Sequence, residues 1–474
     1  MIKKLSYKLN FVLFILSYVV FLYCNSHSLL SNDDITTMAK MRMPLGQMLR
    51  LLCTEDVHLP VYFILLKMWL SVFGVSVFMA RFFSYAGILA CAFVCGNMVK
   101  KLYGEKAALW TTVLFLFLPQ SFVLIEMIRM YSWACFFCTA AFLSAQLALS
   151  KGEKKDFIFY AIYAVLGAWT HYYASLTCAM IALSFLFQSW KKDRKLFKKC
   201  VVYNAILFLL VCPEFYIFIH QPTEDVTWIK KEYGLEIWRY FLFDYGYKTF
   251  LERSSFYLMF FLWIVTFQFL LNRKEDGCQK GTIKTTVFVI LGVLGVIFAV
   301  SLLFRPCLHE RYMSIVSGCF VISFAISVFN VRGNKIILII LMFLSSYKMV
   351  YVDVNRVNKS VQPLFFQVIQ EKVAPDDVIV ASDWYSLHWL YYFFPDYDIR
   401  VLKGTPNILF KKKNREIEEK EILDLVKEKN VFVMTDKNFN LKVLNIFFAF
   451  DVYMQFPLYL GKLIPPENRG DSDM

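Results

Sequence analysis

The chain has 474 residues, of which 58% are hydrophobic, 18% aromatic and 19% charged, and its mean hydropathy is +0.51. Soluble globular chains are nearer half apolar and a quarter charged, so this composition excludes a simple soluble domain and points to a membrane protein. The formal net charge of +14 gathers in alternate loops, which is the positive-inside pattern and removes nucleic acid as its explanation.

Apolar runs of about 20 residues cross a bilayer, and about eleven candidates occur. They lie near 7–24, 77–99, 107–125, 129–149, 157–171, 173–190, 199–219, 254–272, 284–304, 311–330 and 335–352. The first follows Lys3 and Lys4 in the manner of a signal peptide, but no small-residue cleavage site follows it, so a retained first helix is expected. Basic loops at Lys100/Lys101/Lys106, Lys151/Lys154/Lys155 and Lys191 to Lys199 are placed in the cytoplasm, as are Arg273/Lys274/Lys280/Lys284 and Arg332/Lys335. The remaining connections, near 25–76, 120–130, 171–173, 220–253, 304–311 and everything after about 353, then face outward.

The first outer loop opens with the adjacent acids Asp33 and Asp34. Such a pair could supply a general base, bind a metal or simply be solvated; base work needs a carboxylate within hydrogen-bond reach of a nucleophilic hydroxyl. Residues 38–52 place Met41, Leu45, Met48, Leu49 and Leu52 at helical spacing, with Lys40, Arg42 and Arg50 between them, and predict one short interfacial amphipathic helix. Residues 59–73 begin with a proline suited to a first helical turn and are too short to span. They predict a helix lying on the outer leaflet or half-buried against the bundle. Just before it, Asp56 suits a helix cap, while His58 could bind a substrate, an acid or a metal.

Further along, Glu126 and Arg129 stand three apart and predict an intrahelical pair at the start of a span. The short turn containing His171 and Tyr172 and the stretch Arg305, His309, Glu310, Arg311 and Tyr312 both fall at outer ends of spans. Each alone is explained by side chains reaching the interface. Together, three outer turns converge on Arg, His and Tyr, which suit a phosphate or a sugar hydroxyl. The twelve cysteines lie mostly inside apolar segments, including Cys135 and Cys138, and give neither a disulfide framework nor a zinc pattern.

From 353 onward the charge rises and the apolar runs shorten. Residues 376–382 and 431–435 predict buried strands and 414–430 an amphipathic helix, giving a small α/β domain of roughly 115 residues. It carries no glycine-rich phosphate loop.

The ordered set Asp33-Asp34, Asp56, His58, Pro60, Tyr62 and Trp69, then Arg81 and Ser84, Arg129-Met130-Tyr131, Thr170-His171-Tyr172 and Arg311-Tyr312 resembles the GT-C membrane glycosyltransferases. It is most similar to bacterial members of glycosyltransferase family 39, relatives of the protein O-mannosyltransferases and the lipid A aminoarabinose transferases, over about residues 1–350. The resemblance implies a polyprenyl-phosphate sugar as donor, used on the periplasmic face. It implies Asp33 as the base, with Asp34 where a glutamate is usual, and Leu59 departs from the family's His-Pro-Pro element. The usual glutamate two before the arginine is Met127 here, with Glu126 one position earlier.

The expectations are therefore a polytopic GT-C protein with about eleven spans. A membrane domain would occupy 1–352, including the outer loop 25–76, and an extracytoplasmic α/β domain 353–474. The expected reaction is inverting transfer of a sugar to a lipid, glycan or protein acceptor at the inner membrane. Catalysis falls to Asp33 and Asp34, and donor binding to Asp56, His58, Arg81, Glu126, Arg129, Tyr131, His171, Tyr172, His309, Arg311 and Tyr312. No cofactor is certain; a divalent metal near His58 stays open. The rival is a transporter or flippase of a lipid-linked sugar, which would hold charges near mid-membrane rather than at span ends.

Overall fold

The computed structural model describes residues 2–221, 254–272, 277–304, 306–330, 335–358, 362–403, 416–436, 449–455 and 458–464. It divides into two compact units, Met1–Ser28 with Leu49–Val354, and Leu29–Met48 with Asn355–Met474. Residues 29–48, expected in the membrane domain, thus belong with the C-terminal residues.

In chain order the helices are α1 (Ile2–Ser26), α2 (Asn32–Arg42), α3 (Leu45–Thr54), α4 (Pro60–Phe73), α5 (Val77–Tyr103), α6 (Glu105–Phe117), α7 (Pro119–Glu126) and α8 (Tyr131–Lys151). They continue as α9 (Lys154–Ala168), α10 (Tyr172–Lys192), α11 (Arg194–His220), α12 (Ser254–Leu271), α13 (Gly277–Leu303), α14 (Glu310–Met313), α15 (Ser317–Asn330) and α16 (Lys335–Asn358). Among the described residues six helices are long and apolar enough to cross a membrane: Lys8–Ser26 within α1, then α5, α8, α10, α11 and α13. Of the eleven expected spans, six are met among the described residues, or seven if α6 and α7 count as one span bent by 52°. Pro119 makes that bend, because the residue before a proline is driven to extended backbone and Leu118 has ψ 140°. The run at 157–171 stops at the turn after Ala168, leaving a 15-residue helix, and among the described residues α12, α15 and α16 hold apolar stretches of 10–17 residues.

Helix α8 is the axis of the first unit: nearly every residue from Tyr131 to Leu149 is buried by other helices. Its small residues let neighbours approach closely, as bilayer packing requires where hydrophobicity no longer distinguishes protein from lipid. At Gly318 of α15 a Cβ would overlap Thr139 of α8. Helix α4 buries Tyr62, Phe63, Leu66 and Leu70 and leaves Met68, Val72 and Phe73 exposed, and its Trp69 donates Nε1–H to Met79 O at 3.0 Å.

The second unit is a six-stranded sheet with β1 (Val378–Ala381), β2 (Asp398–Leu402), β3 (Glu416–Ile417), β4 (Val431–Asp436), β5 (Ala449–Gln455) and β6 (Leu458–Ile464), in the order β3-β2-β1-β4-β6-β5. The β3-β2-β1-β4 pairs are parallel, and β6 and β5 add antiparallel. Its helices are α17 (Gln362–Lys372), α18 (Trp384–Phe393) and α19 (Glu419–Glu428). Both faces of β1 are buried: Val378 and Val380 join Ile417, Ile422, Val431, Val433 and Leu463 in one core, with Leu425 and Val426 of α19 against it. Such continuous apolar strands are what a parallel sheet covered on both faces requires. The helix expected over 414–430 starts later than its charge pattern suggests, because Glu416–Ile417 pair with β2 and Glu418 begins the cap.

The single amphipathic helix expected over 38–52 is two helices. Pro44 forces Met43 to extended backbone (ψ 151°), ending α2 before α3 begins. Lys40, expected on the polar side, is 1% exposed, while Leu45, expected on the apolar side, is 47% exposed.

Candidate active site

In the first unit the polar residues gather around a backbone break. Glu126 ends α7, Met127 is extended, and α8 begins only at Tyr131, so Glu126 and Arg129 do not share a helix as their spacing predicts. Arg129 stands in the break. The carbonyls released there are satisfied from α5, where Arg81 Nε donates to Glu126 O at 2.9 Å and Ser84 Oγ to Met127 O at 2.6 Å. Arg81 Nη1 also donates to Asn25 O at 3.3 Å and Ser28 O at 3.2 Å, at the end of α1. Arg81 is 2% exposed, and its guanidinium clamps three carbonyls at two helix ends, where helix dipoles favour a cation.

Three residues form a chain of hydrogen bonds. The Asp56 carboxylate turns back on its own loop, accepting His58 N at 3.1 Å and His58 Nδ1 at 2.5 Å. Arg129 Nη2 lies 2.6 Å from His58 Nε2. Arginine can only donate, so Nε2 is the acceptor and the proton is on Nδ1, facing Asp56: the imidazole is neutral. Asp56 and Arg129 are 7% and 6% exposed. Both His58 nitrogens are thereby engaged, which leaves this ring no lone pair for a metal. Among the described residues no group of three or more His, Cys, Asp or Glu side chains is arranged to hold one.

The start of α4 is pinned beside this chain, since Val61 N donates to Trp169 O at 3.2 Å. That links residues 58–61 to the turn after α9, where His171 caps α10 by accepting Tyr173 N on Nδ1 at 3.0 Å. His171 keeps part of its surface, but crowding desolvates the ring. Burial above all, with the nearby Arg129 charge, pushes its pKa down from 6.5 to about 3. Around it stand Tyr312 at 5.1 Å, Tyr173 at 5.7 Å and Tyr131 at 5.9 Å between ring centroids, and His309 lies 5.5 Å from Tyr312. His309 Nδ1 accepts Arg311 N at 3.2 Å, capping the single turn α14, and Tyr173 OH donates to Cys307 O at 2.5 Å.

Gln221, which no sequence signal singled out, closes the cluster. It accepts Tyr172 OH at 2.6 Å and donates through Nε2 to Leu52 O at 2.9 Å and His58 O at 3.4 Å. The connection spans 163 residues, so spacing could not reveal it. The structure thus brings together Asp56, His58, Arg129, His171, Tyr131, Tyr172, Tyr312, His309 and the Arg311 main chain, while Arg81 serves the backbone next to Arg129. Glu126 is half-buried and contributes its carbonyl to that clamp. Arg305 lies outside the described residues.

Asp33 and Asp34 belong to the second unit and differ from each other. Ser31 and Asp34 form a capping box: Asp34 N donates to Ser31 Oγ at 3.2 Å, and Asp34 Oδ2 accepts Ser31 N at 2.9 Å and Ser31 Oγ at 2.8 Å. Asp34 is 2% exposed. Asp33 is half-buried in the same first turn, and its carbonyl accepts Thr37 Oγ1 at 2.9 Å. The acid committed to the cap is therefore Asp34.

The chain has the GT-C fold, shown by its likeness to two crystal structures. The crystal structure of ArnT from Cupriavidus metallidurans bound to undecaprenyl phosphate is similar over 95% of this chain and 97% of that one, with a TM-score of 0.65 and 10% identity. The same protein in the apo state matches over 94% and 97%, with a TM-score of 0.59 and 10% identity. At that identity the likeness carries the fold. No protein-family model matches the chain, and no curated protein matches it.

Proposed function

We propose that the chain is an integral inner-membrane glycosyltransferase that moves a sugar from a polyprenyl-phosphate carrier to an extracytoplasmic lipid, glycan or protein acceptor. The observation that carries this reading is the buried chain Asp56–His58–Arg129 on a GT-C fold. A guanidinium held in one orientation by a neutral imidazole suits the phosphate of a lipid-linked sugar. The GT-C neighbour bound to undecaprenyl phosphate supports the same donor class.

Such a donor already carries a good leaving group. Asp33 takes the proton of the acceptor hydroxyl, the acceptor oxygen bonds to the anomeric carbon, and the bond from that carbon to the phosphate oxygen breaks with its electron pair. One displacement inverts the anomeric configuration. Arg129, with Arg311, stabilises the phosphate as its charge grows, while Tyr131, Tyr172, His171, His309 and Tyr312 offer rings and hydroxyls to the donor sugar. Asp34 is assigned to the helix cap and Arg81 to the backbone clamp.

The test uses purified full-length protein, a panel of undecaprenyl-phosphate pentoses and hexoses, and membrane extract as the source of acceptor, with released undecaprenyl phosphate as the readout. Wild type is expected to consume at least one donor and Arg129→Ala to lose that turnover. Asp33→Asn is expected to fall roughly 10²–10⁴-fold, the usual contribution of a general base. Full turnover by Asp33→Asn would remove it as the base, and no consumption by wild type would remove the transferase reading.

A further inference from the structure

Asp33 sits in the first turn of α2, an 11-residue helix too short to hold itself together in water. Its order must come from packing, and α2 packs against α18. Asn32, the residue immediately before Asp33, accepts a 2.9 Å hydrogen bond on Oδ1 from Trp389 Nε1. Trp389 is 2% exposed. At the other end of α2, the Arg42 guanidinium lies 5.0 Å from the centroid of the Tyr392 ring, one turn further along α18.

Helix α18 is itself fixed to the sheet. It follows β1 after two residues, and the second of these, Asp383, caps it by accepting Ser386 N at 2.9 Å and Ser386 Oγ at 2.5 Å. Leu387 and Leu390 are fully buried, and the helix rests on β1, β2 and β4. A continuous path therefore runs from the central strand of the sheet through α18 and Trp389 to the residue beside Asp33.

We propose that the sheet unit is the mount for the Asp33 helix, with Trp389, acting through Asn32, as a positioning residue for Asp33. The proposal rests on the reading of Asp33 as the base. A base works only within hydrogen-bond reach of its hydroxyl, and a displacement of about 1 Å can cost about 10²-fold in rate. The indole N–H is a donor on a rigid ring with no alternative acceptor role, so a buried bond from it fixes the rotation and register of the turn that carries Asp33. A mount of this kind gives a cap-forming, 11-residue helix the definition that its own sequence cannot supply.

The full-length protein would be assayed against the same undecaprenyl-phosphate sugar panel at about pH 8, where neighbouring carboxylates are ionised. Trp389→Phe and Asn32→Leu are each expected to lower kcat about tenfold while KM stays within about twofold, and the double variant to be no worse than either. Asn32→Asp, which keeps the acceptor oxygen, is expected to retain kcat within about twofold. Unchanged kcat in both single variants, equal losses in Asn32→Asp and Asn32→Leu, or losses that add in the double variant would overturn the proposal. So would a fall in kcat that appears only with a lower melting temperature. An inactive Asp33→Asn beside a fully active Trp389→Phe would refute the mount alone; an active Asp33→Asn would refute the base.

Discussion

Asp33 and Asp34 are neighbours with separate work. Asp34 Oδ2 takes two hydrogen bonds from Ser31, so Asp34→Ala is expected to cost about 1 kcal/mol, the usual worth of a lost cap, measured by thermal unfolding. Asp33→Asn is expected to leave the melting curve in place. His171 gives a pH signature. Its pKa is held near 3 in the folded protein against an ordinary 6.5, so between those values the unfolded chain binds a proton that the folded one refuses. Stability contributed by the neutral ring is fully present above about 6.5 and lost as pH falls toward about 3. Melting at pH 7 and at pH 5 is expected to show a larger drop for wild type than for His171→Gln, and equal drops would contradict it. The sequence exposed the residue types of this cluster, because Asp56, His58, Arg129 and His171 are conspicuous at the ends of apolar runs. It did not expose that Arg81 serves three carbonyls or that Gln221 reaches Leu52 and His58, since both depend on chain segments brought together from far apart.

The helices that carry these residues were legible where hydropathy alone decides, as in α5, α8, α10, α11 and α13. They were less so where a single residue breaks a run. Pro119 bends one apolar stretch by 52°, and Pro44 splits another into α2 and α3. The break before Tyr131 carries no proline or glycine; it persists because Arg81 and Ser84 supply the donors that the interrupted helix lacks. Glycine at 318 shows a constraint of the opposite kind, in which packing rather than backbone freedom excludes a side chain. Gly318→Ala is expected to destabilise the helical unit by about 1–3 kcal/mol through overpacking against Thr139, read as a lower midpoint in detergent unfolding. A substitution to Ala at Gly281, where a Cβ would meet nothing within 4 Å, serves as the control.

Taken whole, the chain assigns its N-terminal acids to an unexpected partner. Composition predicted a membrane domain followed by an α/β domain from 353 onward, and the chain divides into interleaved units, Met1–Ser28 with Leu49–Val354 and Leu29–Met48 with Asn355–Met474. What composition could not reveal is that Leu29–Met48 belongs with the sheet, because the buried Lys40 and the Trp389–Asn32 bond contradict the polar pattern of that loop. One measurement separates transfer from transport of a lipid-linked sugar. Purified protein would be reconstituted into vesicles holding a labelled undecaprenyl-phosphate sugar, with extract supplying acceptor, and both consumption and transbilayer movement of the label would be followed. A transferase converts donor to undecaprenyl phosphate and glycosylated acceptor, and Asp33→Asn lowers the conversion roughly 10²–10⁴-fold. Movement of intact donor across the bilayer without consumption would contradict it.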